Sequence, residues 1–380
     1  MIVHTSIKYP QILKDKNMTM YSTKIYMAVT LACSVAVGAV GQDLKLLDWK
    51  PVSQMVTRKT TVMHPKYPVI DIHNHLGDLD KMEHYLQEMD KAGVTIAVSL
   101  DGHSKNDFYK QHLKKSQSLS KERLLVFFAP DWQRIDDPNF GINEGKRLEE
   151  AAKSGVRGVK VFKSLGLTIK DKAGKIVAVD DPRLDPIWAK CGELKIPVMV
   201  HVSDPKAFFT PIDEHNERYD ELAAHPEWSF YGKGFPAKEE ILAQRNRVIA
   251  KHPRTIFIGA HMGNLPEDLG TLSMWLEQYP NFYVDIDARI SELGRQPYTT
   301  RKFVINYQDR ILFGTDTSPD AKAYSIYYRF LETDDEYIDP AEGHHLQGRW
   351  MIYGLYLPDE VLEKIYFKNA LRILNMAVYK

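Results

Sequence analysis

Short apolar segments rich in β-branched residues alternate with longer amphipathic segments along most of the chain. Eight of the short segments have the length and composition of strands buried on both faces. They are Val69–Ile72, Val94–Leu100, Leu124–Ala129, Gly158–Phe162, Pro197–Val200, Thr255–Ala260, Phe282–Ile286 and Ile311–Gly314. Strands of this kind separated by helices form parallel sheets, and eight such units predict an α/β fold, the (β/α)8 TIM barrel.

The amphipathic segments predict the helices between these strands. They are Leu79–Ala92, Asn143–Ser154, Asp185–Leu194, Lys238–Lys251, Leu265–Gln278 and a closing helix over Asp359–Met376. A doubly wound open sheet is the alternative, but no glycine-rich phosphate-binding sequence follows the first strand. We therefore expect one barrel domain over residues 67–380. Its long connection over residues 203–237 is either a lid over the substrate or a packed surface insertion.

The N-terminal region has the pattern of an export signal. Lys24 precedes an apolar run from Ile25 to Val40, and small residues stand near Gly41 where a signal peptidase cleaves. The run is shorter than the about 20 residues that a membrane-spanning helix needs. We expect a leader with a cleavable signal peptide near residues 20–41, a linker over residues 42–66, and a secreted or periplasmic protein. The sequence around Cys33 is a weaker match to a lipoprotein cleavage site.

Charge gives no sign of a polyanionic partner. The 50 Lys and Arg residues balance the 50 Asp and Glu residues, so no long-range field favours nucleic acid. We expect a small-molecule substrate, no nucleic acid and no transmembrane span. A homodimer is left open.

Residues that bind metals follow four of the predicted strands. His73 and His75 follow the first strand, and their spacing of two places both side chains on one face of an extended chain. The other three are His201 after the fifth strand, His261 after the sixth and Asp316 after the eighth. Catalytic groups of barrel enzymes gather at these strand ends. Imidazoles with a carboxylate suit a divalent metal, with zinc expected and manganese or iron as alternatives.

Three cationic residues extend this candidate site. Lys160 lies inside the fourth predicted strand, where a lone charge is costly unless it is paired or modified. Lys163 comes three residues later, so its side chain faces the opposite side of the strand from Lys160. It therefore points away from the barrel axis or lies on the loop. Arg289 follows Asp285 and Asp287, and it either holds a substrate carboxylate or forms a salt bridge with one of those aspartates.

Four segments resemble the motifs of the amidohydrolase superfamily, in particular the branch that contains aminocarboxymuconate-semialdehyde decarboxylase. The segments are residues 69–77 (VIDIHNHLG), 257–264 (FIGAHMGN), 311–317 (ILFGTDT) and 366–374 (YFKNALRIL), and the similarity covers about residues 67–376. The resemblance implies that His73, His75, His201 and Asp316 bind a metal. It also implies that His261 acts as acid or base, or binds a second ion.

The number of ions depends on Lys160. The resemblance implies a carbamylated lysine bridging two ions in some relatives and an unmodified ammonium beside one ion in others. We expect one ion, and two if Lys160 is carbamylated.

These observations predict a metal-dependent hydrolase that activates water to cleave an amide, lactone or ester bond, with Asp316 taking the proton. A non-oxidative, metal-dependent decarboxylase is the alternative, because the resembled branch uses the same ligands for carbon–carbon cleavage. A secreted, non-catalytic binding protein is a third hypothesis, and it predicts an incomplete ligand set, which this sequence does not have.

Overall fold

The computed structural model describes residues 44–45, 48–49, 51–232, 234–342 and 348–377. The predicted signal peptide and Cys33 lie outside these residues, so export and lipid attachment stay predictions. The chain divides into two units, Met1–Val56 and Thr57–Lys380. In the first unit the described residues include a turn in which the amide of Asp48 donates to the carbonyl of Lys45 at 2.9 Å. The second unit carries the barrel.

Within the described residues, eight parallel strands form one sheet in chain order. They are β1 Val69–Asn74, β2 Val94–His103, β3 Leu124–Ala129, β4 Gly158–Val161, β5 Val198–Val200, β6 Phe257–Gly259, β7 Phe282–Asp285 and β8 Ile311–Leu312. All eight predicted strands are confirmed, although several are shorter than their apolar segments. The chain after β8 returns to β1 through hydrogen bonds from Ile72 N to Phe313 O at 3.1 Å and from Asp316 N to His73 O at 2.8 Å. The predicted barrel is therefore confirmed.

Helices connect the strands around the outside of the barrel. They are α1 Met82–Ala92, α2 Phe108–Ser120, α3 Phe140–Ser154, α4 Asp185–Leu194, α5 Tyr219–Ala224, α6 Lys238–Lys251, α7 Leu269–Gln278, α8 Ile290–Gly294, α9 Pro297–Asn306, α10 Ala321–Glu332, α11 Asp359–Glu363 and α12 Asn369–Ile373. A π-helical segment, Lys364–Lys368, joins α11 to α12. Short 3-10 helices cover Leu79–Lys81, Lys105–Asp107, Trp132–Arg134, Pro182–Leu184, Lys206–Phe209, Pro226–Trp228 and Pro340–Glu342. In the described part of the chain, no helix is long and apolar enough to cross a membrane.

Alternation along each strand divides the core into two layers. Ile70, Val98 and Met199 belong to the cluster inside the barrel, and Leu371 and Leu374 of the C-terminal segment pack into the same cluster. Val69 and Val159, on the opposite faces of their strands, pack against the surrounding helices. This alternation decides which side chains at the strand ends can reach the interior.

The connection over residues 203–237 packs against the barrel. Arg218 is 3% exposed and forms ion pairs with Glu221 at 2.8 Å and with Glu292 of α8. Its guanidinium lies 5.2 Å from the ring centroid of Trp350. These contacts favour the packed insertion over a mobile lid. Part of the predicted linker also contacts the barrel, since the amide of Thr60 donates to Asp335 at 2.7 Å.

Candidate metal centre

His73 enters the barrel because β1 contains a β-bulge. Asp71 is in register with Ala97, and Asn74 with Ser99, so β1 has one residue more than β2 over this stretch. Without the bulge, His73 would share the outward face with Asp71. It is instead fully buried, with Nε2 3.0 Å from Nζ of Lys160 in β4. The bulge in β1 therefore directs the His73 side chain into the barrel.

Carboxylates fix the orientation of the His73 ring. Its Nδ1 lies 3.0 Å from Oδ2 of Asp285 and 2.9 Å from Oδ2 of Asp287. Its Nε2 lies 3.1 Å from Oδ1 of Asp316. A proton on Nδ1 can be donated to Asp285 and leaves the Nε2 lone pair free to bind a metal, which is the usual arrangement of a metal-binding histidine.

His75 is held in the same manner by Asp101. Its Nδ1 lies 2.8 Å from Oδ1 of Asp101, and its Nε2 lies 3.1 Å from Oδ1 of Asp316. A second bulge, between Ser99 and Gly102 of β2, turns Asp101 toward this histidine. The Nε2 atoms of both histidines thus meet the same oxygen of Asp316, and a cation among these atoms would be bound by all three.

His201 and His261 lie next to each other beside these residues. Nε2 of His261 lies 3.3 Å from Nδ1 of His201, and Nδ1 of His261 lies 2.8 Å from Oδ2 of Asp287. His261 has a left-handed backbone with φ 58°, and its amide donates to Asp285 at 2.8 Å and to Asp287 at 2.9 Å. Nε2 of His201 is buried and has no hydrogen-bond partner among the described residues. Its nearest carboxylate oxygen, Oδ1 of Asp204, lies 3.5 Å away.

The loops that carry these residues are strained. Asp316 has φ 64° and Ala288 has φ 48°, both in the left-handed region that non-glycine residues avoid. The hydroxyl of Tyr327 accepts from the amide of Ala288 at 2.9 Å and donates to the carbonyl of Thr315 at 3.2 Å. One buried side chain of α10 thereby holds both loops, and such strain is commonly found at functional sites.

The carboxylates of the site favour positive charge. Burial lowers the pKa of His73, yet Asp287 and Asp316 overcome this effect and raise that pKa well above its ordinary value. Burial raises the pKa of Asp316, but His73 and His75 outweigh it and hold that pKa well below its ordinary value. Burial and the charge of Asp287 raise the pKa of Asp285 well above its ordinary value, whereas burial of Asp287 is outweighed by His261 and His73, which hold the pKa of Asp287 well below its ordinary value.

The donor set fits a divalent transition metal. One donor atom each from His73, His261, Asp287 and Asp316 lies within 4.8 Å of the others. His75 and His201 border this group, and the unpartnered Nε2 of His201 is a further available donor. Imidazole nitrogens and carboxylate oxygens suit zinc, manganese and iron. The structure therefore brings together all five residues predicted to bind the metal.

Asp287 belongs to this group of donors, although it is not among the ligands predicted from the sequence. In that prediction, Asp285 and Asp287 are only possible salt-bridge partners of Arg289. Asp285 and Asp287 are two residues apart at the end of β7, as His73 and His75 are at the end of β1, so this spacing predicts that both side chains lie on one face of the strand.

Lys160 projects into this group from β4. It is 1% exposed, and its Nζ lies 3.0 Å from Nε2 of His73 and 5.3 Å from the ring centroid of Phe162. Burial lowers its pKa, while Asp316 and Asp287 oppose the effect. A lowered pKa favours the neutral amine, the form that reacts to give a carbamate. Both predicted roles, bridging carbamate and lone ammonium, stay predictions.

Lys163 and Arg289 meet at Asp204, on the side of His201. Nζ of Lys163 lies 2.6 Å from Oδ2 of Asp204, and a guanidinium nitrogen of Arg289 lies 3.8 Å from Oδ1. The predicted alternative for Arg289, a salt bridge with Asp285 or Asp287, is wrong, because its ion pair among the described residues is with Asp204. Nζ of Lys238 donates to the carbonyl of Asp204 at 2.7 Å. Two cations thus face the carboxylate of Asp204 beside the candidate metal ligands, and a third binds its main-chain carbonyl.

A family model and several solved structures match this chain. The amidohydrolase family model matches residues 137–376. A search of curated proteins finds no match. Among solved structures, an uncharacterised TIM-barrel protein from Bordetella bronchiseptica is 16% identical, with a TM-score of 0.54, and the match covers 81% of this chain and 99% of that one.

Two further structures are similar in fold. The 2,6-dihydroxybenzoate decarboxylase from Rhizobium is 17% identical, with a TM-score of 0.51 over 81% of this chain and 98% of its own. A dihydroxybenzoic acid decarboxylase from Polaromonas sp. JS666, solved with manganese and the inhibitor 2-nitroresorcinol, is 15% identical, with a TM-score of 0.50 over 81% and 96%. At such identities the likeness establishes the fold alone. With the family model matching more than half of its length, the chain belongs to the amidohydrolase family of enzymes.

Proposed function

We propose that this chain is a metal-dependent, non-oxidative decarboxylase of a small aromatic or otherwise unsaturated carboxylate. The observation that carries the proposal is the position of Arg289 and Lys163 beside a group of metal-binding residues. A substrate carboxylate requires such cations, whereas a neutral amide or ester does not. Similarity in fold to the two dihydroxybenzoate decarboxylases supports the same reaction.

In this proposal His73, His75, His261 and Asp316 would hold the metal, with His201 as a further donor. Manganese or zinc bound there would supply a Lewis acid that stabilises negative charge on the substrate. Asp101, Asp285 and Asp287 keep the imidazole rings in place through their Nδ1 atoms. These contacts require no rearrangement during the reaction, which is the condition for efficient electrostatic stabilisation.

Asp316 is the residue placed to carry the proton. Its side chain is 27% exposed and that of His75 is 36% exposed, whereas His73 is fully buried. In decarboxylation the bond between the substrate carbon and its carboxylate breaks, and the electron pair stays on the carbon. A proton from water, passed through Asp316, forms the new carbon–hydrogen bond, carbon dioxide leaves, and the hydroxide that remains from water combines with it to give bicarbonate. Arg289 holds the anionic substrate while this exchange takes place.

Hydrolysis is the second candidate, and one observation favours it. Oδ1 of Asp316 lies 3.1 Å from Nε2 of both His73 and His75, and the side chain is 27% exposed, so its carboxylate can contact a water molecule at these atoms and accept a proton from it. In a hydrolase, Asp316 would take that proton before water attacks the substrate carbonyl. The same residue therefore serves both reactions, and the identity of the substrate decides between them.

The experiment supplies the protein with manganese or zinc and measures two outputs in parallel. Carbon dioxide release is followed with 2,6-dihydroxybenzoate and other hydroxybenzoates, and carboxylate release is followed with a panel of esters, lactones and amides. Decarboxylation that is lost in an Asp316→Asn variant supports the proposal. Hydrolysis of the second panel, lost in the same variant and without carbon dioxide release from the first, would show that the chain is a hydrolase.

A further inference from the structure

A cleft lies at the carboxyl ends of β2 and β3, and the ring of Phe162 stands between its lining residue His103 and His75 of the metal centre. The cleft has a volume of about 670 Å³ and is lined by Phe108 and Gln111 of α2, by Trp132, and by His103 at the end of β2. Lys105 and Asp131 add polar groups. The volume falls within the range of about 300–1,000 Å³ that holds drug-sized ligands, which is more than a single ring requires.

Aromatic rings connect this cleft to the metal centre. The imidazole of His103 stacks on Phe162, with ring centroids 5.4 Å apart and an angle of 24° between the planes. Phe162 in turn lies 6.3 Å from the ring of His75. Phe108 lies 6.4 Å from His103 on the cleft side. A flat group that extends from the metal centre into the cleft would thus pass along aromatic faces.

A buried ion pair holds the two rims of the cleft together. Glu144 of α3 is 1% exposed, and one of its oxygens accepts from the Ser104 hydroxyl at 3.2 Å and from the amide of Asp131 at 3.3 Å. Arg147 binds the other oxygen of Glu144 at 2.8 Å and also the carbonyl of Ser104. The loop after β2 and the loop after β3 are thereby fixed to one another.

The rim also contains unusual backbone geometry. Asn106 and Asp107 are consecutive non-glycine residues in the left-handed region, with φ 53° and φ 56°. Asp107 is held by Arg147 at 3.3 Å, so the same ion-pair cluster maintains this conformation. Strain that neighbouring contacts preserve is characteristic of binding sites formed in advance of the ligand.

We infer that this cleft binds a planar, unsaturated part of the substrate, remote from the carboxylate that reacts. The inference rests on the proposed function, which identifies the substrate carboxylate as the group that reacts. It specifies a substrate larger than one ring: a fused bicyclic carboxylate, or a single ring with a conjugated side chain. Stacking on His103 and Phe108 supplies affinity, and the polar groups of the rim take hydroxyl or amide substituents.

The test compares binding of two probes to the metal-loaded protein by calorimetry. The probes are salicylate, which has one ring, and 1-hydroxy-2-naphthoate, which has the same reacting end and a second ring. The Gln111→Trp variant fills the cleft from an exposed position on α2. The matched control, Lys114→Trp, places the same side chain one turn along α2, outside the cleft lining.

We expect the wild-type protein to bind the naphthoate at least about tenfold more tightly than salicylate. Gln111→Trp should remove this preference while it leaves salicylate affinity unchanged, and Lys114→Trp should keep the preference. A His103→Ala variant should reduce the preference without filling the cleft. Equal affinity for both probes in wild type, or a preference that survives in both Gln111→Trp and His103→Ala, overturns the inference.

The affinity comparison does not require that the protein decarboxylates either probe. If neither probe loses carbon dioxide but the cleft-dependent preference is present, the proposed reaction fails and the cleft inference stands. If decarboxylation occurs and the preference is absent, the reaction stands and the inference fails.

Discussion

Nδ1 of His75 lies 2.8 Å from Oδ1 of Asp101, and the other oxygen of Asp101 accepts the amide of Gly77 at 2.9 Å. Although burial opposes it, the contact with His75 lowers the pKa of Asp101, so this carboxylate is ionised at neutral pH. It therefore accepts the proton on Nδ1 and leaves Nε2 available on the side of Asp316. Asp101 acts on the metal through another residue, as a positioning residue.

An Asp101→Asn variant should bind manganese or zinc about 10- to 100-fold more weakly, the usual effect of removing a carboxylate behind a metal-binding histidine. Competition with a chromophoric chelator measures the affinity. Asp80→Asn, at an exposed position before α1, is the control and should bind metal like the wild type. Unchanged affinity in Asp101→Asn would show that His75 does not bind the metal through Nε2.

Gly314 should not tolerate a side chain. A Cβ atom at this position would lie 2.9 Å from Cβ of His73 and 3.2 Å from Cβ of Asp287. Gly314→Ala should lower the free energy of unfolding by about 1–3 kcal/mol, the typical cost of overpacking, and should also reduce metal content. Urea unfolding and elemental analysis measure the two effects. Gly234→Ala is the control, because a Cβ there meets no atom of the described residues within 4 Å.

Metal stoichiometry tests the role of Lys160. We expect one equivalent of metal per chain in the wild type and in Lys160→Met, because the histidine and aspartate donors suffice for one ion. The variant should retain metal and lose activity, since the Nζ atom lies 3.0 Å from the ligand nitrogen of His73. Elemental analysis gives the result directly. Two equivalents that fall to one or none in the variant would instead establish a carbamate bridge.

Arg289→Met should weaken substrate binding more than it weakens metal binding. Removing a charge-assisted hydrogen bond to a carboxylate costs about 1.5–3 kcal/mol, which corresponds to a rise in KM of roughly 10- to 100-fold. Arg295→Met is the control, because Arg295 pairs with Glu217 at 2.9 Å at the surface. Steady-state kinetics on the best carboxylate substrate, with metal content measured in parallel, separates the two effects. A normal KM in Arg289→Met would exclude this residue from carboxylate binding.

His112 should make the fold sensitive to acid. It is fully buried in α2, and burial lowers its pKa to about 4 from the ordinary 6.5. Between these values the unfolded chain binds a proton at His112 and the folded chain does not, so stability falls as the pH drops from 6.5 towards 4. The contribution reaches roughly 3 kcal/mol.

Replacing His112 with Leu should flatten this dependence, as measured by urea unfolding at pH 7 and pH 5. His84→Leu, at an exposed position on α1, is the matched control and should keep the wild-type slope. An equal slope in His112→Leu and wild type would contradict the assignment.

Alternation of apolar segments was enough to predict the barrel. Each strand is buried on both faces, so its residues are apolar regardless of the exact register, and the pattern survives in the sequence. The positions of the site residues at the strand ends could also be predicted from the sequence. The five predicted residues, His73, His75, His201, His261 and Asp316, lie in the last two positions of a strand or within four residues after one, and a closed barrel brings all such positions to one rim.

The direction of each side chain was decided by the tertiary structure. Strict alternation from Val69 places His73 outside the barrel, and only the bulge in β1 turns it inward. His261 depends likewise on a left-handed backbone that its bonds to Asp285 and Asp287 maintain. The partner of Arg289 is Asp204, far away in the chain, and no local pattern encodes that contact. The sequence determined the residue types and the rim on which they stand, because these depend on local periodicity. The directions of those side chains and the residues that they contact depend on bulges and long-range contacts, which exist only once the barrel has closed.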